Sequence, residues 1–95
     1  MRKIIYKERF EKELIFIVEF IAQNDGYHRA EKFYSEIYEK IENIPFMPYR
    51  FRQNQTTNNT NIRDLIYKGY IIPFRITPDT IEVLGIYKDN LWIKQ

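Results

Sequence analysis

The chain has no cysteine, one histidine and three glycines. Without cysteine it forms no disulfide and carries no thiolate nucleophile, which is compatible with a reducing compartment. One histidine and no cysteine argue against a structural zinc site, so we predict no metal. No phosphate-binding glycine pattern occurs in the polar segment 53–61, and we predict no cofactor.

Long apolar runs are also missing. The most apolar window, Leu14–Ala22, is interrupted by Glu19 and is far shorter than the roughly 20 residues that span a bilayer. No signal peptide opens the sequence. We therefore expect no membrane partner and a cytoplasmic location.

Charge of either sign shows little excess, since the net charge is +2. Residues 1–48 carry eight Lys and Arg against nine Asp and Glu, whereas residues 49–95 carry seven against four. The basic second half is compatible with a polyanionic partner, but its charge is far below that of a dedicated nucleic-acid-binding protein. Ninety-five residues predict one domain, 1–95. Its eight Tyr, seven Phe and one Trp suggest a surface that a partner covers.

The first half predicts one strand and two helices, over Lys3–Glu8, Phe10–Gln23 and Tyr27–Asn43. Phe16 and Phe20 form a second apolar stripe on the first helix, so we expect that helix to be covered on two sides. Gly26 ends it, and Pro45 prevents continuation of the second helix. The short linker predicts an antiparallel helical hairpin. The acidic side chains of the second helix are expected to form a solvated face: Glu31, Glu36, Glu39 and Glu42.

The second half predicts three strands joined by tight turns, over Ile62–Tyr67, Tyr70–Thr77 and Ile81–Lys88. Pairing about the second turn sets Phe74 opposite Val83 and Ile72 opposite Gly85. Alternation then places one set on the helix-facing side (Ile72, Phe74, Ile76, Ile81 and Val83). The other side is mixed and includes Arg75, Glu82, Ile71, Leu84 and Ile86. Pro73 cannot donate to the ladder, so we expect an edge, a bulge or a break in pairing there.

The connection before these strands is irregular. Arg50 and Arg52 flank Phe51, and basic residues beside an aromatic ring suit contact with RNA or DNA. The alternative is a solvated loop. Residues 53–61 are polar throughout and predict a mobile loop.

The order strand, helical hairpin, three-stranded meander resembles the RelE/ParE superfamily of bacterial toxins. The similarity is carried by Asn61–Leu65, Gly69–Ile76 and Ile81–Tyr87, and by the exit of the second helix into Ile44-Pro45. The resemblance implies an α+β fold with an N-terminal strand, an antiparallel αα-hairpin and a three-stranded antiparallel meander that form one sheet.

The resemblance implies the toxin of a type II toxin–antitoxin pair, neutralised by a cognate antitoxin and compatible with a heterotetramer or larger complex. ParE-like members inhibit DNA gyrase, whereas RelE-like members cleave messenger RNA on the ribosome. Ile71 stands where many members carry Arg, and the last strand ends without the usual His or Arg. The lone His28 is expected far from the site. We therefore favour the ParE-like branch. The alternatives are the ribosome-dependent nuclease and a non-toxic binding module.

The residues that the resemblance brings forward fall into two overlapping sets. If the chain is a nuclease, the catalytic set is Arg63, Arg75, Tyr87 and Lys88. The target- or antitoxin-binding set is Arg50, Arg52, Arg63, Arg75, Tyr87, Lys88 and Trp92.

Each of these residues also has a structural interpretation. Arg63 either contacts a phosphate or an antitoxin carboxylate, or forms a local ion pair with Asp64 or a helix residue. A strict two-residue turn sets Arg63 opposite Phe74 on the core side, and one extra loop residue reverses that. Arg75 lines a groove or pairs with Glu82 across the strands. Tyr87 binds a partner or packs in the core, and Trp92 anchors an interface or folds back on the sheet.

Overall fold

The computed structural model describes residues 1–88, which form a helical hairpin packed on one face of a sheet. The elements are β1 (Lys3–Tyr6), α1 (Glu8–Asp25), α2 (Tyr27–Glu42), β2 (Arg52–Gln53), β3 (Ile62–Tyr67), β4 (Tyr70–Ile76), β5 (Thr80–Val83) and β6 (Tyr87–Lys88). Two single 3₁₀ turns, Ile44–Phe46 and Pro48–Arg50, connect α2 to β2. Neither helix is long and apolar enough to cross a membrane.

The sheet is mixed rather than wholly antiparallel. Its strand order is β1–β5–β4–β3–β2, and β6 pairs with β4 beyond the end of β5. β1 runs parallel to β5, and the remaining pairs are antiparallel. The meander is therefore confirmed, but two of its details are wrong. A short strand, β2, adds to the edge of β3, and the third predicted strand is divided into β5 and β6.

The division of the third strand arises from one extra residue. Phe74 pairs with Val83 as predicted, yet Ile71 pairs with Tyr87. The two pairs are three residues apart on β4 and four residues apart on the partner segment. Proline has no N–H, and the Pro73 carbonyl accepts a bond of 2.9 Å from the N–H of Leu84. The break expected at Pro73 is confirmed, and the predicted pairing of Ile72 with Gly85 is wrong.

This bulge exchanges the faces of the residues that follow it. Ile86 was predicted on the face away from the helices, but it is buried in the core. Tyr87 then shares a face with Ile71, on the side away from the helices, whereas Lys88 shares the helix-facing side with Tyr70.

The core lies between the hairpin and the helix-facing side of the sheet. Fully buried side chains come from α1, α2 and the strands: Phe10, Leu14, Ile37, Ile41, Ile72, Phe74, Ile81 and Val83. Gly26 joins the two helices with a φ of +99°. A residue with a Cβ rarely adopts that conformation, which explains why glycine occupies this position. The prediction that the second apolar stripe of α1 is covered is wrong, because Phe16 and Phe20 are 73% and 58% exposed.

Candidate functional site

A buried carboxylate lies on the sheet face away from the helices. Asp64 of β3 stands opposite Arg52 of β2, and its side chain is 1% exposed. Arg52 Nε donates to Oδ2 at 3.1 Å, and Asn54 Nδ2 donates to Oδ1 at 2.7 Å. A buried charge persists only when such partners compensate its lost hydration.

Tyr87 adjoins this cluster because the bulge turns it to the same face. Burial, and next the nearby negative charge of Asp64, raise the pKa of Tyr87, while hydrogen bonding to Asn54 and Thr56 and the charge of Arg52 act in the opposite direction. The phenol therefore stays protonated at neutral pH. The fold thus brings Tyr87 close to Arg52, another of the predicted site residues.

The polar loop after β2 is anchored on this cluster. Asn54 is buried, and its Oδ1 accepts bonds from the N–H groups of Thr56 and Thr57 at 3.0 and 2.9 Å. The backbone N–H of Asn54 donates to the Ile62 carbonyl at 2.8 Å. The prediction of a mobile loop is wrong for this first part, because one amide side chain connects it to the sheet.

Arg63 lies on the opposite, helix-facing side. The turn has two residues, so Arg63 stands opposite Phe74. Its guanidinium donates to the carbonyls of Thr60, Tyr49 and Phe51 at 2.9, 3.2 and 3.0 Å. The predicted local ion pair of Arg63 with Asp64 is wrong, because Arg52 forms the ion pair with that carboxylate. Arg63 thus connects the segment before β2 to the start of β3.

The other predicted arginines stand apart from this cluster. Arg75 is on the face away from the helices and pairs with Glu82 at 3.6 Å, as expected from their register. Arg50 is exposed, with its guanidinium 5.1 Å from the ring centroid of Phe51. Trp92 lies outside the described residues.

A groove of about 500 Å³ runs between α1 and β6 on the helix-facing side. Its lining is mostly apolar and includes a few charged side chains: Lys12, Glu13, Phe16, Ile17, Phe20, Tyr70, Ile86, Tyr87 and Lys88. The Lys88 ammonium lies 4.6 Å from the ring centroid of Tyr70. Sequence reasoning missed this groove because it needs the position of β6, which the bulge sets.

Glu13 of α1 supports the bulge, a role that no local sequence pattern indicates. Its Oε1 accepts a bond of 2.9 Å from the Ile86 N–H, and Arg9 Nε donates to its Oε2 at 3.0 Å. The same Oε1 lies 2.7 Å from where a Cβ on Gly85 would stand, so a side chain at position 85 would require the Glu13 carboxylate to shift.

A further polar contact ties α2 to the β3–β4 turn. The Tyr67 hydroxyl donates to the Glu36 carboxylate, and Lys68 Nζ lies 3.6 Å from the same carboxylate. The Tyr67 hydrogen bond, followed by the charges of Lys68 and Lys32, lowers the pKa of Glu36 despite partial desolvation. The prediction that Glu36 is merely solvated is wrong.

The predicted nuclease residues do not converge in one place. Arg63 and Lys88 lie on the helix-facing side of the sheet, and Arg75 lies on the other. Tyr87 has the register of that other side, but it also lines the groove together with Lys88. Within residues 1–88, no group of three His, Cys, Asp or Glu side chains is placed to hold a metal ion.

Comparison with known proteins identifies the family. Residues 4–90 match the family described as ParE toxin of type II toxin-antitoxin system, parDE. Among curated protein sequences, none matches the chain.

Three solved structures share the fold at low sequence identity. A chain of the chromosomal ParDE TA system from P. aeruginosa superposes with a TM-score of 0.80 at 17% identity, covering 95% of this chain and 98% of that one. YafQ from E. coli strain BL21(DE3) gives 0.51 at 17% identity, and the E. coli DinJ-YafQ complex gives 0.52 at 15%. Each of these two alignments covers 93% of both chains. With the family matching over nearly its whole length, this chain belongs to the ParE toxins of type II toxin–antitoxin systems.

Proposed function

We propose that this chain is a cytoplasmic toxin that inhibits DNA gyrase and that a cognate antitoxin holds inactive. The observation that carries the choice of target is the separation of Arg63 from Arg75. Cleavage of a message needs groups that converge on one ribose and one phosphate, to activate the 2′-hydroxyl and to stabilise the developing charge. Here the two arginines lie on opposite faces of the sheet.

The occupation of both arginines adds to this argument. Three carbonyls hold the guanidinium of Arg63, and Glu82 neutralises Arg75. On the face that carries Tyr87, Arg52 pairs with the carboxylate of Asp64 at 3.1 Å, so its charge is also matched within the fold. These contacts favour inhibition by binding over catalysis of RNA cleavage.

For the antitoxin, we propose that one segment lies in the groove between α1 and β6. Phe16 and Phe20 are exposed there beside Ile17 and Ile86, so an apolar stripe on a partner helix or strand would bury them. Lys12 and Lys88 in its lining suit a partner with acidic flanks. A relative of the same fold belongs to the ParDE TA system of P. aeruginosa, which is compatible with such pairing.

Expression in a bacterial host tests the toxin role. We expect growth arrest, and we expect the product of the adjacent reading frame to reverse it. Absence of arrest from soluble, folded protein contradicts the toxin role and favours a non-toxic binding module.

The target is tested with purified components. We expect the protein to inhibit supercoiling by DNA gyrase and to leave translated messages intact. Site-specific message cleavage that is lost in Tyr87→Phe, with gyrase unaffected, assigns the chain to the ribosome-dependent nucleases instead.

A further inference from the structure

A second cavity, of about 540 Å³, opens at the end of the helical hairpin. Three separate elements supply its basic groups: His28, Arg29 and Lys32 from α2, Lys68 from the β3–β4 turn and Lys88 from β6. We expected His28 to lie far from the predicted site residues, but it lines the same cavity as Lys88, which is one of them. Residues distant in sequence thus form one basic surface.

The charge balance of this cavity is positive. Four permanent cations face it, against the carboxylate of Asp25 in its wall and that of Glu36, which pairs with Lys68. Within residues 1–88, Arg29, Lys32 and Lys88 have no carboxylate at ion-pair distance. Among residues 1–88, these four cations and two carboxylates give a net charge of +2 around the cavity. Close cations without matching anions attract a polyanion.

The walls of the cavity are aromatic. Phe33 and Tyr70 stack edge-to-face with ring centroids 5.3 Å apart, and Phe20 is 58% exposed at the border with the apolar groove. The two cavities share Phe20, Tyr70 and Lys88, so an exposed ring stands next to the cationic surface. Exposed rings beside cations are how proteins hold single-stranded nucleic acid, with bases on the rings and phosphates on the cations.

We propose that this basic cavity binds single-stranded nucleic acid, with a backbone phosphate between Arg29, Lys32 and Lys88 and a base stacked on Phe20. The aromatic rings and cations that line this cavity match the base and the phosphate of a nucleotide. The proposal concerns binding without cleavage, and it does not depend on the gyrase target.

Fluorescence anisotropy with a 5′-labelled ten-nucleotide single-stranded DNA, and with the RNA of the same sequence, tests the proposal. We expect Arg29→Ala/Lys32→Ala to weaken binding at least tenfold. Because each neutralised phosphate contributes about 0.7 to the slope of log affinity against log salt, and these residues share one phosphate, the slope should fall by about 0.7. Phe20→Leu should weaken binding several-fold without changing the slope.

The matched control is Lys3→Ala/Lys7→Ala. It removes the same two charges from exposed positions at the β1 end of the sheet, away from the cavity. We expect its affinity to stay within about twofold of wild type, with circular dichroism and thermal unfolding confirming that all variants are folded.

Three results would overturn the proposal. The first is an equal loss of affinity in both double variants, which indicates attraction by net charge alone. The second is absence of oligonucleotide binding by wild type at physiological salt. In the third, a poly-glutamate peptide displaces the oligonucleotide and binds more tightly than it, with the same dependence on Arg29 and Lys32, which assigns the cavity to an acidic protein segment.

Discussion

Glu13 Oε1 accepts a hydrogen bond from the N–H of Ile86 at 2.9 Å, and the same oxygen lies 2.7 Å from the position that a Cβ on Gly85 would occupy. A helix side chain therefore holds the backbone of the bulge. The contact is specific, because any side chain at position 85 would displace the carboxylate that satisfies the next N–H.

Gly85→Ala tests this support. The new methyl group would push the Glu13 carboxylate aside and leave the Ile86 N–H without its acceptor, so we expect a loss of about 1–2 kcal/mol in the free energy of unfolding. Urea denaturation measures it. Glu13→Ala should cost a similar amount, and the double variant should cost much less than the sum, because both changes remove one contact. Additive losses would show that Gly85 and Glu13 act independently.

Arg63→Ala should destabilise the fold by about 1–3 kcal/mol, because three carbonyls lose a charged donor. Toxicity should fall only in step with the folded fraction, which thermal unfolding and growth assays report together. Arg63→Gln should restore part of the stability through its amide donors. Complete loss of toxicity in a variant as stable as wild type would instead assign Arg63 a direct role at the target.

Glu36→Gln tests the tie between α2 and the β3–β4 turn. The pKa of Glu36 is lowered from its ordinary value of 4.5, first by the Tyr67 hydrogen bond. The ionised carboxylate therefore stabilises the fold above pH 4.5, and this contribution is lost as the pH falls through the lower, folded-state pKa. We expect Glu36→Gln to be less stable than wild type at pH 7 and the difference to shrink in acid. A difference independent of pH would contradict this.

Phe16→Asp should weaken antitoxin binding at least tenfold, because it places a charge in the apolar groove. Thermal stability should change little, since Phe16 is 73% exposed. Phe46→Asp is the matched control, as Phe46 is 64% exposed and lies outside the groove. Isothermal titration calorimetry with the cognate antitoxin measures both, and an equal effect of the two substitutions would place the antitoxin elsewhere.

Local chemistry made much of the fold predictable. Gly26 marked the hairpin, and Lys68-Gly69 fixed a two-residue turn that sets the register of β3 and β4. Pro73 predicted a break in strand pairing, but it did not predict which strand would carry an extra residue. The extra residue after Val83 depends on Glu13, which lies far away in sequence, and no local pattern reports that contact.

The candidate site was less predictable for the same reason. The bulge determines the side of the sheet on which Tyr87 lies. Asp64 is paired with Arg52 by β2, a strand of only two residues that β-propensity does not predict. His28 joins Lys88 only because the hairpin places the start of α2 beside β6. In contrast, the pairing of Arg75 with Glu82 needed only one turn and was predictable.

The extra residue between β5 and β6 also affects how this chain is compared with its relatives. An alignment at 17% identity that runs the last strand straight through would match Tyr87 to a side chain pointing the opposite way. Insertion or deletion of one residue near Gly85 would exchange Tyr87 and Lys88 between the two sides of the sheet with both residues unchanged. Relatives can therefore keep the same letters at this strand and present different chemistry to a partner.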